Sequence, residues 1–138
     1  MNPIIEAMKA YSAGRNVAIA GGAARQMAMQ KLEFPLIWHE PVVLTGKSGM
    51  QEGTLTYKIK FHWLEKNGNH SAEALEAIRE KIEKRVLDLV GTIENHSRVR
   101  SVRLISCTPA ESELTHYGEI ALSAQIEAEV MFCNNPYS

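Results

Sequence analysis

Five histidines are the side chains of this sequence best suited to bind a metal ion or to move a proton near neutral pH. They are His39, His62, His70, His96 and His116. No two of them are two or four positions apart, so no ligand pair shares one face of a strand or a helix. His39, Glu40 and His62 could in principle form a site of two histidines and one carboxylate. We expect instead that His39 and His62 are ordinary residues on the solvated face of a sheet.

A phosphate-binding loop or a nucleophilic serine would have to lie around Ser48. The run Gly46-Lys47-Ser48 matches the end of the GxxxxGK[ST] pattern, whose backbone amides bind phosphate. The first glycine of that pattern is missing, because the position five before Gly46 is Pro41. The GxSxG turn is also incomplete, because Met50 stands where its second glycine would be. We therefore predict no catalytic residue and no cofactor-binding residue.

The two cysteines, Cys107 and Cys133, have no partner at a spacing typical of zinc ligands. A free cysteine in a folded protein usually packs as a small apolar side chain. We expect two reduced thiols, no disulfide and no metal site.

The charges of the chain are balanced, with 15 Lys and Arg residues against 16 Asp and Glu residues. Such a balance gives no overall attraction to nucleic acid or to an anionic membrane. One local cluster is basic, but acidic residues are interleaved with it and no aromatic residue accompanies it. It consists of Lys81, Lys84, Arg85, Arg98, Arg100 and Arg103. We predict that nucleic acid is not a partner.

No apolar run approaches the roughly 20 residues that a membrane-spanning helix needs. The first residues lack the basic and apolar regions of a signal peptide. We expect a protein that is made and stays in a cytoplasm, without a membrane partner.

The sequence predicts a short helix from Pro3 to Ala13, because apolar residues recur there at helical spacing. Residues 15–31 are irregular or partly helical, and Val17 to Ala20 could be a short strand. Phe34 to Leu44 is strand-like, but its two prolines favour an edge strand or two short strands with a bend. Thr45 to Gly53 is predicted to be a polar loop.

A long strand is predicted from Thr54 to Leu64, where apolar and polar residues alternate five times. After a turn at 67–69, a long amphipathic helix is predicted from Ala72 to about Ile93. Strands at Val99–Cys107 and Glu119–Phe132 follow, separated by a loop at 109–115, and 133–138 is a loose tail. This order predicts a single α+β domain over 1–138, with an antiparallel sheet of about four strands, one long helix packed on one face and a short N-terminal helix.

Two pairs of carboxylates could take part in acid–base chemistry or in a protein interface. Glu111 and Glu113 lie in the predicted loop, whereas Glu127 and Glu129 share the polar face of the last strand. Like charges at this spacing repel each other unless basic side chains stand opposite. The sequence leaves two alternatives open for the strand pair, a solvated face or a complementary interface.

The layout resembles that of the tail-terminator or tail-completion (minor tail) proteins of long-tailed bacteriophages and prophages. The resemblance covers roughly residues 3–132 and is carried by element order and strand texture. It includes a strand beginning Phe34-Pro35-Leu36-Ile37-Trp38, the alternating strand that starts at Thr54, the long helix and the closing strand at 118–126. Residues 15–31 match nothing in that pattern.

The resemblance implies a structural protein that forms a homo-oligomeric ring, commonly a hexamer, and joins the phage tail to the head. Its partners would be further copies of itself, the tail-tube proteins and the head-completion proteins. It would occur in the host cytoplasm during assembly and then in the virion, and the family has no catalytic residues to carry over. The alternative is a small cytoplasmic enzyme or ligand-binding domain on a similar α+β scaffold.

The polar face of the last strand is the predicted contact between subunits. Gln125, Glu127 and Glu129 on this strand would meet Lys58 and Lys60 on the other long strand of a neighbouring subunit. Such a heterologous contact closes into a ring when its rotation permits. The alternative is that the same charges pair across adjacent strands of one chain. The loop from Thr45 to Gly53 would become ordered on meeting a partner.

Overall fold

A computed structural model describes residues 2–29, 32–66, 71–110 and 119–133. The chain folds into a sheet with helices on it, in an order close to the one that the sequence predicts. The elements are α1 (Pro3–Arg15), β1 (Ala18–Gly21), a 3-10 helix (Ala24–Met29), β2 (Leu36–His39), β3 (Val43–Gly49), β4 (Glu52–Glu65), α2 (Ala72–Glu94), β5 (Val99–Pro109) and β6 (Ile120–Cys133).

The described strands form one sheet in the order β1-β2-β4-β6-β5, and β3 pairs with β4 beside β2. β1 and β2 are parallel, and every other pair is antiparallel. The predicted α+β class is confirmed, whereas the prediction of about four antiparallel strands is wrong, because the sheet is mixed and has six. One extra strand comes from the irregular segment 15–31, and the other arises because the strand-like run around Pro41 divides into β2 and β3.

The predicted polar loop from Thr45 to Gly53 is a β-hairpin. β3 continues to Gly49 and β4 begins at Glu52, so only Met50 and Gln51 form the turn. Gly49 has a φ of 94°, in the left-handed region that favours glycine. At Gly53 a side chain would collide with the carbonyl oxygen of Ser48. These glycines permit a tight hairpin. The prediction of a loop is wrong because a polar, glycine-rich composition is typical of both structures.

Helix α2 begins at a capped turn and packs on β5 and β6, beside α1. The Ser71 hydroxyl accepts a hydrogen bond of 3.2 Å from the Ala74 amide, as expected of an N-cap residue. The stripe facing the sheet is buried at Ile82, Val86, Leu89 and Ile93.

The two helices share the apolar face of the sheet. Ile59 and Phe61 of β4 belong to the same core as the α2 stripe, whereas Leu55 does not. α1 completes the cover, since Tyr11 packs edge-on against Trp63 of β4 with ring centroids 6.1 Å apart. The apolar face of the sheet is thereby covered by two helices rather than one.

A second, smaller core lies on the opposite face of the sheet. It contains Met27, Leu36, Trp38, Leu64 and Ala121. The Trp38 indole N–H donates a 3.0 Å hydrogen bond to the Gly22 carbonyl, which holds the 3-10 segment against the sheet. Residues 22–29 are therefore packed structure, although their sequence is equally compatible with a surface loop.

Several predictions concern residues outside the described ranges: the turn at 67–69, most of the loop at 109–115 with Glu111 and Glu113, the tail from 134 onwards, His70 and His116. Among the described helices, none combines the length and the apolarity that crossing a membrane requires.

Replacing Ile82 with alanine should lower the free energy of unfolding by about 2–5 kcal/mol, because a fully buried side chain in the main core is lost. Urea denaturation measures this difference. Leu87→Ala is the matched control, because Leu87 lies on the same helix but is 49% exposed, and it should cost less than about 0.5 kcal/mol. A loss below about 1 kcal/mol at Ile82 would show that the stripe is not core.

Candidate functional site

The two histidines nearest to Glu40 lie on opposite faces of the sheet. His39 stands opposite Phe61 in the β2–β4 ladder and so faces the helices, whereas His62 stands opposite Trp38 and faces away from them. The hypothetical site of two histidines and one carboxylate is therefore not formed. The single-residue offset between their ladder positions places them on different faces.

His39 packs its ring against Gly21, where any side chain would collide with the imidazole. Burial lowers the pKa of His39, and the nearby Lys9 ammonium adds to this effect. The prediction that His39 is a solvated surface residue is therefore wrong. The glycine is needed because the imidazole occupies the space beside it.

Three side chains on the open face of the sheet form a continuous hydrogen-bonded chain. The Nε2 atom of His62 lies 2.8 Å from a carboxylate oxygen of Glu40, and its Nδ1 atom lies 2.7 Å from the hydroxyl of Ser123. His62 is only 3% exposed, so it too is not the solvated residue that the sequence predicts. We call these three residues the Ser123–His62–Glu40 cluster.

Three parts of the fold position this cluster. His62 and Ser123 stand directly opposite each other in the β4–β6 ladder, so their side chains project from the same face. Glu40 follows β2, and its backbone amide donates a 2.9 Å hydrogen bond to the Lys60 carbonyl. This bond holds Glu40 beside β4, in the short gap between β2 and β3.

The chemistry of the partners determines the proton positions. A carboxylate can only accept, so His62 Nε2–H donates to Glu40, and Nδ1 of a neutral ring then accepts from the Ser123 hydroxyl. Burial lowers the pKa of His62 against the opposing effect of Glu40, and the Lys60 ammonium lowers it further. The ring is therefore held neutral, with one nitrogen available as a base next to a serine.

The sequence analysis missed Ser123. The signal was present, because His62 and Ser123 both occupy polar positions in long alternating strands. The partner of each residue depends on the β4–β6 register, however, and the two strands are separated by α2 and β5. Sequence periodicity gives the face of each residue but not the register between strands distant in the chain.

The structure brings the predicted interface residues together within one chain. Lys58 stands opposite Glu127, Lys60 opposite Gln125, and Thr56 opposite Glu129. Arg103 of β5 stands on the other side of Glu127 from Lys58. One of its guanidinium nitrogens lies 3.6 Å from a Glu127 carboxylate oxygen. We call the surface of Lys58, Lys60, Arg103, Gln125, Glu127 and Glu129 the charged face. The β4–β6 register therefore places these charges across adjacent strands of one chain, which is one of the alternatives that the sequence leaves open.

The cysteines Cys107 and Cys133 are both free thiols and are not bonded to each other. Burial raises the pKa of the Cys107 thiol, and Glu83 raises it further. Within the described ranges, no three His, Cys, Asp or Glu side chains converge in a way that could hold a metal ion.

Comparison with known proteins found no protein-family model and no curated protein that matches this chain.

The stability of the protein should fall as the pH is lowered below about 6.5, the ordinary pKa of histidine. The folded-state pKa of His62 is lowered, so below this value the unfolded chain binds more protons and acid favours unfolding. His62→Gln should make the pH dependence shallower, and His39→Asn, His62→Gln should make it shallower still. Urea denaturation between about pH 7 and pH 5 measures this. Equal pH dependence in all three proteins would contradict the assignment of buried, neutral histidines.

Proposed function

We propose that this chain is a structural assembly protein of a bacteriophage or prophage tail, a tail terminator or a head–tail joining component that acts as a homo-oligomeric ring. The element order supports the proposal: a short helix, an aromatic strand, a long alternating strand, a long helix and two closing strands. The role needs no catalytic site. The partners are further copies of the chain and the tail-tube and head-completion proteins, first in the host cytoplasm and then in the virion.

The observation that carries the oligomer is that the described sheet has open strand edges on both sides, with β5 on one side and β1 and β3 on the other. Within the described residues, β3 pairs only with β4, and β5 pairs only with β6. Unpaired edge strands present N–H and C=O groups that another chain can pair with. The β3 edge also carries Val43 and Leu44, each 55% exposed, on opposite faces of the strand. These apolar side chains would be removed from water in a contact between subunits.

The strand directions permit this contact to repeat around a ring. β3 runs antiparallel to β4, β4 to β6 and β6 to β5, so β3 and β5 are antiparallel to each other. If neighbouring copies are related by rotation about an axis roughly along the strands, β3 of one copy lies antiparallel beside β5 of the next. The contact joins two different surfaces, so it is heterologous and can close into a ring.

Irregularities limit how many backbone bonds this contact can form. The register of β3 shifts between Leu44 and Gly46, and that of β5 shifts between Leu104 and Ser106. Bulges of this kind interrupt edge pairing. The regular stretches are therefore short, and the exposed apolar side chains must contribute much of the contact.

The charged face is the second proposed contact, although its lysines and glutamates stand opposite each other within one chain. It carries both signs of charge, so a neighbour that packs on it must also present both signs. A uniformly acidic or basic partner would face like charges somewhere on this surface.

The wild-type protein should form an oligomer far above the 15.4 kDa of one chain, and Val43→Lys, Leu44→Lys should be monomeric. Lysine on an edge strand opposes pairing with another strand, and both positions are already exposed, so the fold should be retained. Light scattering on the purified proteins measures the mass, and circular dichroism checks the fold.

Leu87→Lys is the matched control, because Leu87 is a similarly exposed apolar residue on α2 rather than on the sheet edge, and it should leave the oligomer intact. Glu127→Lys, Glu129→Lys tests the charged face separately. A monomeric wild type in the presence and absence of tail-tube protein would refute the ring. An oligomer that is unaffected by the β3 variant would remove this edge from the contact.

A further inference from the structure

The proposed assembly role makes no use of the Ser123–His62–Glu40 cluster, although the arrangement has a definite chemical capacity. A serine becomes nucleophilic when a base accepts its proton and a third group orients that base. Here the base is 2.7 Å from the serine hydroxyl and the carboxylate is 2.8 Å from the other ring nitrogen. The ring donates to the carboxylate through Nε2 and accepts from the serine through Nδ1, so Nδ1 is the nitrogen that acts as the base.

The cluster lies at the boundary between a buried part and a solvent-exposed part of the open face. On one side the next ladder pair on this face is Leu64 and Ala121, both buried in the smaller core. On the other side the next pair is Lys60 and Gln125, and Lys60 is exposed. Ser123 itself is partly exposed. The base is thus shielded from water while the nucleophile borders a surface that a reagent can reach.

A cleft of about 300 Å³ lies next to the cluster and is lined in part by Glu40, Lys60 and Gln125. Gln125 is two residues from Ser123 on the same face of β6, a spacing of about 7 Å. Lys60 and Gln125 form the ladder pair next to His62 and Ser123 on this face, and both side chains can donate hydrogen bonds. They are suited to stabilise the negative oxygen that develops when a serine adds to a carbonyl group.

We infer that Ser123 is a covalent modification site that takes an acyl group from an activated ester. The serine oxygen adds to the carbonyl carbon, and its proton moves to Nδ1 of His62. The bond between the carbonyl carbon and the alcohol oxygen then breaks, and the leaving alcohol takes the proton from His62. The products are an ester at Ser123 and a free alcohol, and no oxidant, reductant or metal is needed. Glu40 orients the ring and stabilises its charged form during the step.

A fluorophosphonate tests this inference, because such reagents label activated serines through the same serine attack, with fluoride as the leaving group. The full chain, incubated with the reagent and measured by intact-mass spectrometry, should gain one adduct that maps to Ser123. Ser123→Ala should gain none. His62→Gln should react at least about 100-fold more slowly, the usual contribution of a general base.

Ser106→Ala is the matched control, because Ser106 is also a serine on the neighbouring strand β5 and is exposed. It should be labelled at the wild-type rate. Glu40→Gln supplies a second variant in case His62→Gln does not fold, which circular dichroism will show, and it should also react more slowly. An unlabelled wild type, an adduct that persists in Ser123→Ala, or a wild-type rate in Glu40→Gln would overturn the inference. The oligomer measurements are independent of all these outcomes.

Discussion

The β4–β6 ladder is the interaction on which the rest of the structure depends. All fourteen residues of β4 pair with the fourteen residues of β6, from Glu52 with Cys133 to Glu65 with Ile120, without a shift in register. A slip of one residue would move every apolar side chain of one strand to the opposite face. Apolar and polar side chains alternate along both strands, and this alternation therefore fixes the register. The ladder then determines which residues face the helices and which polar residues meet.

The apolar side of this ladder explains the placement of the helices. Ile59, Phe61 and Trp63 share a face with Ile126 and Ala128, and a surface this long requires more than one helix to cover it. α2 covers the β5–β6 side, and α1 covers β4 through Tyr11. The short N-terminal helix is consequently part of the core rather than an appendage.

The sequence predicts the elements better than their partners. Alternation in residues 54–64 and helical spacing in 72–93 identify β4 and α2 to within a few residues, because each pattern is local. The β3–β4 hairpin is missed because glycines and polar residues in an exposed hairpin have the composition of a loop. β1 is only one of the interpretations that the sequence allows, since a strand of four residues with one branched side chain carries a weak signal. The site shows the same contrast. The sequence predicts which face of each strand is polar, but it does not predict the register that places His62 opposite Ser123.

The open face has two parts, and their boundary explains why a polar cluster is buried there. Residues 22–29 and 32–34 cover only one end of this face, where Trp38, Leu64 and Ala121 are apolar, and beyond it the same strands carry charges. A residue at the boundary loses water on one side while its neighbours on the other side are solvated. A polar group in that position must be hydrogen-bonded within the protein, and Glu40 and Ser123 satisfy both nitrogens of His62. The same hydrogen bonds that make the buried imidazole tolerable also align a neutral base with a serine. The contact between the serine and a neutral base therefore follows from the need to satisfy both nitrogens of a histidine at the edge of the core.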